Sequence, residues 1–136
     1  MPKNPAVVLA VREGEDPWTA SEVAEVRTTL TDDLERLVSE LDQTARDLAE
    51  ILRDGVDVAG NDQADVGSTS LERDSELSLA ANQNELLAQT KLALERLDNG
   101  TYGDCAGCGN PIGKARLMAF PRATLCIACK QREERR

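Results

Sequence analysis

The chain has 136 residues, a formal net charge of −9 and 40% hydrophobic residues, but its aromatic side chains are only Trp18, Tyr102 and Phe120. Ordinary globular cores use more large rings, so the Leu-, Val- and Ala-rich composition predicts an elongated protein of long amphipathic helices with thin aliphatic seams. No apolar run approaches the roughly 18 residues of a membrane span, and no secretory signal is evident.

Residues 1–18 read as an N-terminal arm, flexible or docked over a short stretch, in which "AVVLAV" (Ala6 to Val11) is too short for a secretory core. This predicts a cytoplasmic protein with reduced thiols. "PWTASEV" then starts a helix: Thr19 is the N-cap, Glu22 its capping-box partner, and Trp18 can staple onto Val23. The predicted inward positions are Val23, Val26, Leu30, Leu34, Leu37, Leu41, Ala45, Leu48 and Leu52, an eleven-residue repeat with little left-handed supercoil. Asp54-Gly55 supplies the stop, with Gly55 at C′. Such a helix is about 50 Å long.

The Gly- and Asp-rich stretch 54–69 reads as an acidic turn at the tip of a hairpin. Thr69 and Glu72 offer a second capping box, and a second helix is predicted from about Ser70 to Asn99-Gly100. Its inward stripe is Leu79, Ala80, Gln83, Leu86, Leu87, Thr90, Ala93, Leu94 and Leu97. Residues 19–100 are therefore expected to form a long antiparallel helical hairpin, a coiled coil within one chain, the alternative being two helices that pair with another chain.

All four cysteines follow, in the module 101–130, as Cys105-x-x-Cys108 and Cys126-x-x-Cys129 separated by seventeen residues. That spacing reads as a four-thiolate zinc site. Each two-residue gap presents two sulfurs about 2.3 Å from one metal, and two such turns complete a tetrahedron. Gly103, Gly107 and Gly109 relax the backbone around it. Four protein ligands leave no open position for water, so one structural zinc is expected. A thioredoxin-like motif would need a βαβ context, and paired disulfides an oxidising compartment. Tyr102, Ile112, Leu117, Phe120 and Leu125 are the predicted small cluster around the metal. Residues 131–136 form a basic tail.

Charge is uneven. Residues 1–100 carry nine Lys/Arg against twenty-two Asp/Glu, and residues 101–136 seven against three. Lys114, Arg116, Arg122 and Lys130 are candidate docking cations. The acidic total and scarcity of aromatic platforms argue against strong direct DNA binding. Asp62 and Asp65 alone, with no Lys or His beside them, make a poor active site, and no enzymatic activity is expected.

An acidic-tipped hairpin followed by C-x-x-C-G-x-x-I-x-x-x-R-L, Pro121 and C-x-x-C-K resembles the DksA/TraR family of bacterial transcription factors, over roughly residues 20–132. The resemblance implies a monomer whose hairpin enters the secondary channel of RNA polymerase while the zinc module stays outside. The family tip signature D-x-x-D-x-A is matched by Asp62 and Asp65, with Gly67 in place of the alanine, and implies a tip facing the polymerase active site. Some relatives bind ppGpp through basic side chains. Asn82, Gln89 and Phe120 stand at three of those positions here and only Lys130 fits, so the implied response to ppGpp is weak or none.

Overall fold

The computed structural model describes residues 9–57 and 63–135. Four helices appear among them: α1 (Ala20–Asp57), α2 (Gln63–Asn99), α3 (Lys114–Ala119) and α4 (Ile127–Glu134). The chain divides into two compact units, one of Met1–Asp33 with Gln89–Arg136 and the other of Leu34–Ala88.

The start of α1 follows the capping logic. Thr19 N–H donates to Glu22 Oε1 at 2.9 Å, and Glu22 N–H donates back to Thr19 Oγ1 at 3.0 Å. Two otherwise orphaned donors are thereby satisfied. At the far end α1 does not stop at Asp54-Gly55 but continues to Asp57. One glycine inside a helix costs about 1 kcal/mol, too little to end a helix still half-buried at Ile51. Likewise α2 begins at Gln63, not near Ser70, so Thr69 and Glu72 lie inside it. In the polar turns "LERDSE", residues 71–75 are exposed but helical, and only Glu76 is half-buried. Loss of periodicity there marks loss of burial, while Leu, Glu and Arg keep good intrinsic helix propensity. The C-terminus of α2 is as expected: Gly100 takes φ +79°, and Thr101 N–H closes on Arg96 C=O at 3.0 Å, a Schellman ending.

The seam differs from the predicted repeat. Along α1, Val23, Val26, Leu30 and Leu34 are covered at the predicted spacing, and from Leu34 onward the covered seam runs through Leu37, Leu41, Thr44, Leu48 and Ile51, alternating steps of three and four. Along α2 the covered positions include Glu76, Ala80, Gln83, Leu87, Thr90, Leu94 and Leu97, with the same alternation, and beside this row Leu86 and Ala93, seven apart. This is a heptad pattern. Ala45 and Leu52, predicted inside, are exposed, and so is Leu79. In the unit Leu34–Ala88, Thr44 takes the inward place because its hydroxyl meets Gln83 Oε1 across the hairpin at 2.9 Å. In the other unit Arg27 pairs with Asp98 at 2.9 Å, in the same antiparallel sense.

The core of that first unit joins the base of the hairpin to the cysteine module. Val26, Leu30, Ala93 and Leu97 pack with Tyr102, Ile112, Leu117, Cys105 and Cys129, with Leu9 of the arm among them. From Leu9 onward, therefore, the arm is docked. Phe120, predicted to help cover the metal, is 62% exposed. The core around Cys105 and Cys129 is made instead by Tyr102, Ile112 and Leu117 with aliphatic residues of the hairpin base. No helix among the described residues is long and apolar enough to cross a membrane.

Candidate metal centre and hairpin tip

The first cysteine pair sits on a tight loop. Cys105 N–H donates to Asn110 C=O and Gly109 N–H to Cys105 C=O, both at 2.9 Å, above a bridge between Asp104 and Pro111. The second pair opens α4, with Cys126 as its N-cap. Ala106 N–H to Thr124 C=O at 2.8 Å ties the two together. Gly107 is required by this approach: a β-carbon there would stand 3.0 Å from Cys129 Sγ.

All four sulfurs lie within 4.8 Å of one another, and Cys108 and Cys126 are 3.9 Å apart. A tetrahedral zinc with bonds of about 2.3 Å needs sulfurs about 3.8 Å apart. The donor set therefore fits one zinc, and four thiolates close its coordination, so the metal is structural. It is the sole such cluster among the described residues. Burial would raise the Cys105 thiol, but N–H donors from Cys126, Cys108 and Gly107 outweigh it and bring its pKa down to about 6. Gly107 and Cys126 N–H groups reach its sulfur at 3.3 Å. Cys129 moves the other way, to about 12, because its thiol donates to Cys126 and Cys105 and would ionise beside the Cys105 charge. Four adjacent thiols cannot all ionise unaided. A dication supplies the compensation.

The predicted docking cations are mostly engaged inside the fold. Lys114 Nζ pairs with Glu22 at 2.6 Å and lies 5.5 Å from the Trp18 ring centre. Arg116 Nε donates to Leu125 C=O at 3.1 Å and covers the Phe120 ring. Arg122 reaches Asp33 at 3.4 Å. Lys130 is the open one, with a 3.9 Å approach to Glu134 and a half-exposed side chain. At the tip, Asp62 lies outside the described residues, Asp65 falls in the first turn of α2, and Gly67 is an exposed helical residue with open space where a β-carbon would stand.

Residues 100–135 match the family model for the prokaryotic dksA/traR C4-type zinc finger. The RNA polymerase-binding transcription factor DksA of Escherichia coli (strain K12) is 30% identical over 122 residues, 88% of this chain and 76% of that protein. The chain belongs to the DksA/TraR family. The DksA of Caulobacter vibrioides (strain NA1000 / CB15N) is 41% identical over 75 residues, so that match spans about half of each protein, 55% of this chain and 53% of the relative. The solved structure of transcription factor DksA2 from Pseudomonas aeruginosa superposes with a TM-score of 0.69 at 33% identity, covering 85% of this chain and 84% of that one. The family's C4 finger and hairpin are thus both present here.

Two features were not located from the sequence. The partners of the docked arm, docking being one of the two expectations for it, lie almost a hundred residues away. The buried Thr44–Gln83 pair had a signal, since Leu30, Leu37, Thr44 and Ile51 are seven apart, but hydropathy favours Ala45 over Thr44.

Proposed function

We propose that this protein is a bacterial, cytoplasmic transcription regulator that binds RNA polymerase through its hairpin and zinc module, without chemistry of its own. The observation that carries this reading is the alignment with the Escherichia coli RNA polymerase-binding DksA, which runs through hairpin and finger together over 88% of the chain. In this reading a monomer inserts the hairpin into the secondary channel, and Asp62 and Asp65 act near the polymerase's catalytic magnesium. Lys130, and the partly covered Lys114, Arg116 and Arg122, belong to the docking side. With Asn82, Gln89 and Phe120 uncharged, ppGpp adds little. The alternative, a nucleic-acid-binding zinc finger, is disfavoured because Lys114 and Arg122 are already paired with carboxylates.

The test separates docking from action. Asp62→Asn with Asp65→Asn removes two charges and keeps size. The double variant should bind polymerase holoenzyme within a few-fold, about 1 kcal/mol or less, yet lose most of its effect on promoter-complex lifetime. If affinity collapses and the residual effect follows occupancy, the tip is an anchor and this mechanism is wrong.

A further inference from the structure

A zinc ion held by four thiolates leaves a centre of net charge about −2, and with Cys105 and Cys129 buried that charge is stabilised by nearby cations. Two arginines lie in the neighbourhood. Arg12 and Arg132 line one groove of 560 Å³ together with Cys108, Cys126 and Cys129. Neither has an ion-pair partner among the described residues. Arg132 comes from α4, but Arg12 comes from the N-terminal arm, over ninety residues away in the chain.

The arm also grips the chain on both sides of the first cysteine pair. On the outgoing side, Lys114 N–H donates to both Glu15 carboxylate oxygens, at 3.1 and 3.3 Å. The same carboxylate accepts Arg12 N–H at 3.1 Å, while Glu15 N–H closes a turn on Arg12 C=O. Lys114 Nζ reaches back to Pro17 C=O. Two residues before Lys114, Ile112 N–H bonds Gly103 C=O at 2.7 Å, adjoining the bridge under the first cysteine loop. On the incoming side, Trp18 meets the buried Tyr102 ring edge-on at 6.1 Å, three residues ahead of Cys105. Leu9 is buried in the core that contains Cys105 and Cys129.

The indole Nε1 of Trp18 is buried with no hydrogen-bond partner, an unmade bond that opposes closure. The clamp at Glu15 is charge-assisted and only half-buried.

We propose that residues 9–18 form a strap thermodynamically coupled to the metal: zinc binding closes it, Glu15 clamps it to the start of α3, and Arg12 complements the zinc–thiolate charge. Coupling is reciprocal. If zinc favours the closed strap, the closed strap must hold zinc more tightly by the same factor. This linkage does not depend on the polymerase reading.

The test uses the full-length zinc-loaded protein. Trp18 is the single tryptophan, so its emission reports the strap directly, and tryptic cleavage after Arg12, followed by mass spectrometry, reports access to it. Removing zinc with EDTA should shift Trp18 emission to the red and speed cleavage after Arg12. Glu15→Gln should speed that cleavage in the zinc-loaded protein and weaken zinc affinity, measured by equilibrium competition with a chromogenic chelator, about fivefold, the low end of ordinary couplings. Arg12→Gln, a change at an exposed side chain, should also weaken zinc affinity. Glu13→Gln, an exposed neighbour with no hydrogen bond or ion pair among the described residues, should leave it unchanged. If zinc removal leaves Trp18 emission and Arg12 cleavage unaltered, the strap is not metal-linked. If Glu15→Gln frees the arm while zinc affinity keeps its wild-type value, the reciprocal half fails and the proposal with it.

Discussion

Replacing Thr44 by Val tests what sets the hairpin seam. Thr44 is 4% exposed and Gln83 7%, and their side chains meet at 2.9 Å in an otherwise aliphatic stretch. Thr44 Oγ1 is also 2.9 Å from Glu40 C=O in its own helix. A hydroxyl has one hydrogen to give. With the Gln83 amide turned so that Nε2 donates to Oγ1, the hydroxyl is free for Glu40 and both side chains are satisfied. Valine keeps the shape and differs little from threonine in helix propensity, but strands the buried amide. The expected cost is about 1–3 kcal/mol. Gln83→Leu removes the needy partner and leaves the hydroxyl bonded within α1, so it should cost roughly 1 kcal/mol or less. The double variant should return close to wild type, since removing both polar partners can be nearly neutral. Urea unfolding of the four proteins, followed by helix ellipticity, gives the coupling energy, expected at about 1–2 kcal/mol. Additive effects, or a Thr44→Val protein as stable as wild type, would refute the claim that this pair explains why Thr44 rather than Ala45 faces inward.

Three other outcomes follow from the geometry. Purified protein should carry one zinc per chain, and Cys105→Ser or Cys129→Ser should lose it and unfold the module while most helix ellipticity survives, as metal analysis with circular dichroism will show. Gly67→Ala meets open space and should stabilise the start of α2 by up to about 1 kcal/mol, read as slower hydrogen exchange over residues 63–70. The Glu22 carboxyl is held below its ordinary value of 4.5, first by its bond to Lys114 and then by Thr19 N–H. Its contribution is therefore complete above that value and fades as pH falls through the lower folded value. A pH titration of stability should show this acid loss, and Glu22→Gln should reduce it.

What could be read from the sequence had a local cause. The Thr19–Glu22 box is reciprocal within four residues, and the two C-x-x-C turns encode their metal by spacing. The heptad was obscured because hydropathy ranks an alanine above a threonine, whereas burial at Thr44 depends on Gln83, thirty-nine residues away. The helix ends near the tip were misplaced for a related reason: periodicity reports a buried face, and a solvated helix has none. Phe120 looked like core because it is large and apolar. The module instead covers its metal side with Tyr102, Ile112 and Leu117, leaving Phe120 to stack with Arg116. The strap escaped notice because nothing near Glu15 announces a partner at Lys114.

That last contact changes what the basic end can do. Counted from the sequence, residues 101–136 carry a surplus of cations, but much of that charge is engaged inside the fold. The Lys114 side chain is only 15% exposed and bound to Glu22, and Arg122 is 30% exposed and bound to Asp33. Such pairs present little field to a partner, because each cation is neutralised by a carboxylate beside it. Lys130, Arg132 and Arg135 on and just after α4 are the more exposed cations. On the polymerase reading, long-range attraction to the enzyme therefore falls to this short helix, while Lys114 contributes by holding the arm and the helix start together. Neutralising Lys130 should then slow association and flatten its salt dependence. Neutralising Lys114 should act through stability first, loosening the start of α1 and the strap together, with affinity following only as the fold is lost.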